Sequence, residues 1–254
     1  MSVNSAVAIG RAIEVAQPGF APSTLKSGPC VGLYCGPGSP LTQVMGLLTD
    51  SPLSAETYQD LQSFYEGRTN KWEMQLGPFS NPDSWSLLQN MGWRVVGHEH
   101  TLYLDLDQWR EPTGSTIGPG VEIRLIESAE REVWSKTLSE GFMEVVPSDT
   151  DVLTKVMAAM THQQAWMAFV DSEPAASGGL VVAGDVAMLA GSATKARFRG
   201  QGLQSALITM RLKQAKSMGC GLAIVDCAPG SQSHHNMERR GFKLAYSKAV
   251  LDQR

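Results

Sequence analysis

Cysteine is scarce in this chain and has no pattern: Cys30, Cys35, Cys220 and Cys227 form no C-x-x-C pair and stand in no finger-like register with the histidines. Neither a zinc site nor a disulfide framework is indicated, and buried free thiols are the expected state. Charge of one sign is also missing. A net charge of −4 and a pI near 5.7 supply no broad positive surface for nucleic acid or anionic lipid. Long hydrophobic runs are absent too. The longest, Gly178 to Ala193, is interrupted by Asp185 and rich in glycine, and no basic segment leading into an apolar core opens the sequence. A cytoplasmic protein is expected, with no metal, no nucleic-acid partner and no membrane contact.

What is present suits a packed fold. Hydrophobic residues make up 43% and charged residues 18% of the 254, enough for one large domain or two ordinary ones. Glu111-Pro112-Thr113-Gly114-Ser115-Thr116 and Gly118-Pro119-Gly120 form the clearest linker, so a boundary is expected between residues 108 and 120, with domains over 1–110 and 118–254.

In the first half the periodicities predict a helix within residues 2–17, a strand over Val31–Cys35 and a helix from the N-cap Ser54 to about Gly67. A strand over Trp72–Leu76, a helix capped near Asn81 or Asp83, and one or two strands from Trp93 to Leu106 follow. His98 and His100 share one face there with no third ligand and read as structural. The second half predicts a strand over Val121–Ile126, a helix from Glu130 to Phe142, and another capped by Asp149 or Asp151 that runs through Thr161. A strand over Ala165–Asp171 precedes a hairpin that turns at Ala183-Gly184-Asp185. Near the close come a strand over Leu222–Asp226, a Pro229-Gly230-Ser231 turn, a helix ending at Gly241 and a strand from Phe242 to Leu251. Gly92-Trp93 and Gly241-Phe242 occupy matching places, which suggests a tandem repeat with a degenerate first copy.

Met188–Met218 carries the chemistry. An apolar strand passes through a basic stretch (Lys195, Arg197, Arg199) into Arg199-Gly200-Gln201-Gly202 and then into an amphipathic helix marked by Leu203, Ala206, Leu207 and Met210. Arg211, Lys213 and Lys216 are cations placed toward its C-terminal end. The glycines permit a sharp turn that gathers unpaired amide N–H groups at the positive end of the helix dipole, a site for phosphate.

Arg199-Gly200-Gln201-Gly202-Leu203 resembles the signature of the GNAT superfamily of acyl-CoA-dependent N-acetyltransferases: Arg or Gln, two residues, Gly, one residue, then Gly or Ala. The last position here is Gln204. The likeness extends over most of residues 121–254, and residues 1–107 look like the C-terminal portion of an eroded second copy. There the turn due after Val31–Cys35 holds Gly36-Pro37-Gly38-Ser39-Pro40-Leu41. The resemblance implies an α+β fold of two GNAT-like domains, each a mostly antiparallel mixed sheet flanked by helices, with a splayed strand pair in the second. Acetyl-CoA is the implied cofactor. Ala193, Thr194 and Lys195 would meet its pantetheine, Arg199, Gly200, Gln201, Gly202, Leu203, Gln204 and Ser205 its pyrophosphate, and Asn236 is a further contact.

The reaction implied is acetyl transfer by direct attack from a primary amine of a small molecule or peptide, catalysed by a monomer or homodimer. An amine with a pKa of about 10 must lose a proton before attack, and the departing thiolate wants a donor. Many family members place a tyrosine four residues before the Gly-Phe, where this chain has Met237. Asp226, Ser233 and Asn236 are the candidate catalytic residues, with His234, His235 and Tyr246 behind them. Phe142 and Glu144 fall where the family places a substrate-lining loop. A noncatalytic acyl-CoA binding or sensing module is the alternative. A dinucleotide site is a remote one, since position 205 is Ser where a third glycine belongs.

Overall fold

A computed structural model describes residues 24–36, 39, 41–113, 117–143, 154, 157–158, 160 and 162–253. The helix expected within residues 2–17 lies outside them, as does most of the one expected up to Thr161. The chain divides into two compact units, Met1–Thr101 with Ala245–Arg254, and Leu102–Leu244.

In the first unit β1 (Thr24–Ser27), β2 (Cys30–Leu33) and β3 (Gln43–Met45) pair antiparallel in succession, and β3 then pairs parallel with β4 (Glu73–Leu76). A parallel join needs a crossover, and α1 (Ala55–Tyr65) supplies it. Its start is the expected one: Ser54 accepts a hydrogen bond from the Thr57 amide at 3.0 Å. The helix α2 (Pro82–Asn90) begins at Asn81, whose side chain accepts from the Asp83 amide, and leads into β5 (Trp93–Asp105), a single long strand. Leu61, Tyr65, Met74, Leu76, Leu88 and Trp93 form the core, with Trp72 stacked on Tyr65 and edge-on to Trp93. Leu251 joins that core from β11 (Lys243–Gln253), which pairs antiparallel with β4 through Ala249↔Leu76 and Leu251↔Met74.

One expectation is corrected here. The segment after Val31–Cys35 is not the counterpart of the glycine turn, because it returns the chain antiparallel into β3. Thr42 holds that return by accepting from the Cys35 amide at 3.0 Å. The parallel join of the first unit comes later, from β3 through α1 to β4.

The second unit contains β6 (Val121–Leu125), α3 (Arg131–Met143), β7 (Gln164–Val170), β8 (Glu173–Ala183), β9 (Val186–Thr194), α4 (Leu203–Ser217), β10 (Leu222–Cys227) and α5 (Gln232–Glu238). Strands β6 to β9 pair antiparallel in sequence order, and β9 pairs parallel with β10 across α4. Leu203, Leu207, Leu212 and Ala215 of α4 bury against Trp166, Leu180 and Leu189 of the sheet. Each unit is thus a mixed, mostly antiparallel sheet with helices, the α+β class expected. All four cysteines are buried and none is in a disulfide, and burial pushes Cys30 and Cys35 up to about 12, which leaves them unreactive at neutral pH. Among the described residues no helix is long and apolar enough to cross a membrane.

Candidate active site

Two departures from regular pairing shape the site. The parallel ladder joins Val186–Met188 to Leu222–Ile224 and stops, although β9 continues to Thr194 and β10 to Cys227. Past that point no further β9–β10 pair is formed among the described residues, so the ladder leaves the β10-facing edge of β9 unpaired there. The second departure lies on the other edge of β9. The β8 register runs Ser177↔Ala193 and then Gly179↔Ala190, so Gly191 and Ser192 together stand opposite Gly178. This is a β-bulge, and Gly191 takes the left-handed φ of +50° that such a bulge asks for.

The turn into α4 follows directly. Gly200 and Gly202 have φ of +78° and +77°, and a Cβ at either would meet no atom within 4 Å, so both face free space. Gly202 is the N-cap of α4 and lacks a side chain to cap it, while its carbonyl accepts from the Ala206 amide. Helix geometry leaves the Leu203, Gln204 and Ser205 amides without intrahelical partners, pointing out of the positive end of a 15-residue helix.

These features open on one cleft of about 730 Å³ within the second unit. Of the residues expected at a cofactor, the cleft brings together Ala193, Thr194, Arg199, Gly200, Gly202, Leu203, Gln204, Ser205 and Asn236, and Ser233 is there as well. Arg199 fixes the entrance: its Nη2 donates to the Gly141 carbonyl at 3.1 Å and its Nε to the Thr194 carbonyl at 3.3 Å. Gln204, the departure from the signature, donates from Nε2 to Thr194 Oγ1 at 3.0 Å, tying helix to strand end where a smaller residue would leave a gap. Asn236 Oδ1 accepts from Gln232 at 2.9 Å and from Arg239 at 3.0 Å.

Lys195 and Gln201 do not line the cleft. Lys195 is turned to Glu140 at 3.1 Å. Asp226 sits half-buried on β10 and is also not among the lining residues. Tyr246 belongs to the first unit, edge-on to Phe79. His234 and His235 face Glu238 at 3.7 and 3.3 Å. Met237 lines the cleft and is buried, and Phe142 lines it while largely exposed; Glu144 lies outside the described residues.

Sequence reasoning missed three residues. Gly141 of α3 packs on the end of β9, where an added Cβ would lie 2.7 Å from the Ala193 Cβ and 3.0 Å from the Thr194 amide nitrogen. Ser192 lines the cleft from within the bulge. Arg211, read from the sequence only as a cation toward the C-terminal end of α4, is completely buried and bonds to the sheet. The periodicity contained the signal for the last, since position 211 follows Leu207 by four residues on the apolar face.

Comparison with known proteins places these features in a family. Residues 129–242 match the sequence model of the acetyltransferase (GNAT) family, and this segment is a GNAT acetyltransferase domain. No curated protein matches the chain. Solved structures share the fold. A GCN5-related N-acetyltransferase from Kribbella flavida is 17% identical at a TM-score of 0.66, over 100% of this chain and 96% of that one. A tandem GNAT protein from the clavulanic acid biosynthesis pathway is 15% identical at 0.61, over 94% and 86%. A GCN5-related N-acetyltransferase-like protein from Streptococcus suis is 14% identical at 0.53, over 98% and 100%.

Proposed function

We propose that the chain is an N-acetyltransferase that moves an acetyl group from acetyl-CoA to a primary amine of a small molecule or peptide. In this reading the cofactor-binding domain lies within residues 118–254, with its site in the second unit, and residues 1–110 belong to a degenerate copy that binds none. The observation that carries it is Gly202, a side-chain-free N-cap in the left-handed region that leaves the start of α4 uncapped beside the parted strands. A pyrophosphate fits there on the amides of Leu203–Ser205, with Arg199 at the entrance. The edge of Ser192–Thr194 that the β10 ladder does not pair suits the amides of a pantetheine arm, and the Gln204 and Arg199 contacts to Thr194 hold that strand end in place. Bound acetyl-CoA supplies an activated thioester, and the protein's share is to bind it, orient it and admit the amine.

Ser233 and Asn236, which line the cleft from α5, are the groups of suitable type to hold or relay a proton. The protein works in the cytoplasm as a monomer or homodimer and engages neither nucleic acid nor membrane. Met237, apolar at the cleft wall, favours a second reading in which acyl-CoA is bound without transfer. Incubation with acetyl-CoA and a broad amine panel, read by thiol release, separates the two. Release with any amine class supports transfer, whereas tight coenzyme A binding with no release across the panel supports the sensor.

A further inference from the structure

The bulge in β9 has an unusual support. Arg211 is 0% exposed, and its guanidinium lies at the place where β8 and β9 lose register. Its Nη1 donates to the Gly179 carbonyl at 3.0 Å and to the Ala190 carbonyl at 3.5 Å, one on each strand, while Nε donates to the Leu207 carbonyl of its own helix. Gly179 and Ala190 are the first pair beyond the bulge. One cation therefore ties both strands to α4 where the sheet ladder is interrupted.

The sequence makes room for it. A Cβ at Gly178 would lie 2.7 Å from the Arg211 Cζ and 3.0 Å from Nε and Nη1, so the guanidinium rests directly on the Gly178 backbone. A Cβ at Gly179 would lie 2.7 Å from Gln163 Oε1, so the buried Gln163 carboxamide packs against the neighbouring glycine. Neither glycine has a left-handed φ. They are required by close approach and not by backbone conformation. Burial is the cause acting on the Arg211 pKa and lowers it to about 9, which leaves the group charged at neutral pH. Nη2 has no hydrogen-bond partner among the described residues. Among the described residues no carboxylate pairs with Arg211, and a buried charge without such a partner is a poor stabilising device, one whose place an apolar residue of similar volume commonly tolerates. Stability therefore does not account for Arg211, and the two strands it grips point to another role.

We propose that Arg211 is a positioning residue for the cofactor cleft: it fixes the bulge of β9 and thereby sets where Ser192–Thr194 present their backbone, without touching the ligand. The proposal rests on the acetyl-CoA reading for its ligand and on the fold for its mechanics. The experiment uses the full chain and compares wild type with R211M, R211K, G178A and R211M/G178A by thermal unfolding, coenzyme A calorimetry and amide hydrogen exchange. R211M is expected to unfold cooperatively near the wild-type temperature yet bind coenzyme A about tenfold or more weakly. Amide exchange over Ser192–Thr194 should accelerate in the same variant. R211K restores part of the affinity, because one ammonium can still reach one carbonyl. G178A weakens binding by displacing the guanidinium, and adding it to R211M costs nothing further, since the group it displaces is gone.

A folded R211M that binds coenzyme A within about twofold of wild type overturns the proposal, and so does full additivity in the double variant. If R211M does not fold, R211K and G178A carry the same comparison, and unchanged affinity in both is fatal. If wild type itself binds no coenzyme A, the acetyl-CoA reading fails. Exchange over Ser192–Thr194 then decides the positioning claim, which unaltered rates in R211M reject.

Discussion

In the first unit α1 crosses from β3 to β4, and in the second α4 crosses from β9 to β10; both joins are parallel. The two helices begin differently. Ser54 enters α1 with extended backbone (φ −77°, ψ 157°), and its side chain takes the Thr57 amide. Gly202 enters α4 in the left-handed region with no side chain to take anything. The same supersecondary unit is thus closed by its own cap in one case and left with unpaired amides in the other. In the proposed reading the anion site depends on one residue at the helix entry and not on the strand–helix–strand unit, so two such units need not carry two sites.

Breaking the comparison at Gly202 should have the largest effect. Gly202→Asp forces a side chain into the left-handed region and sets a negative charge at the helix start, and we expect coenzyme A binding to fall at least ~100-fold. The strain should cost about 1–2 kcal/mol, so thermal unfolding stays cooperative. Retained affinity by calorimetry would remove the acetyl-CoA reading. Gly141→Ala comes next. Its Cβ must push Ala193 and the Thr194 backbone, and overpacking of this kind costs about 1–3 kcal/mol. We expect a lower melting temperature and several-fold weaker cofactor binding, whereas Gly67→Ala, where a Cβ meets nothing within 4 Å, should leave cofactor binding untouched.

Ser54→Ala sharpens the contrast from the other side. Loss of the cap should destabilise the protein by about 1 kcal/mol in denaturant unfolding, and it should create no second coenzyme A site, because the backbone there stays extended. A calorimetric stoichiometry of two in that variant would contradict the reading. The smallest effect concerns pH. Hydrogen bonds from Arg124 and from the Glu127 amide hold Glu130 down to about 2, below its ordinary value of 4.5. A depressed carboxylate contributes stability above 4.5 and loses it as pH falls from there toward about 2. Glu130→Gln should flatten that acid limb only slightly, since the pair is about a third exposed.

The sequence was most legible where structure is decided by neighbours. Ser54, Asn81 and the Gly200-Gln201-Gly202 turn declared themselves because a cap or a left-handed turn depends on a handful of adjacent residues. The hairpin at Gly184 followed for the same reason. What stayed hidden was set at long range. Nothing near Gly178 says that a guanidinium from a helix more than thirty residues away will rest on it. The bulge of β9 depends on two strands meeting with unequal counts, and no composition rule reports that. The first half's counterpart turn was misplaced because a strand followed by prolines and glycines looks the same whether the chain doubles back or crosses over.

The pairing of β11 with β4 bears on the order in which this protein can be made. Leu76 emerges from the ribosome 173 residues (249 − 76) before its partner Ala249. At synthesis rates of about 5–20 residues per second, the first unit waits on the order of ten seconds with one strand of its sheet still unmade. During that interval β4 presents an unpaired edge, the kind of surface on which nascent chains pair wrongly. The usual sequence, in which an N-terminal domain is finished before the next begins, is closed to this chain: its first unit is completed by a strand made after the second unit.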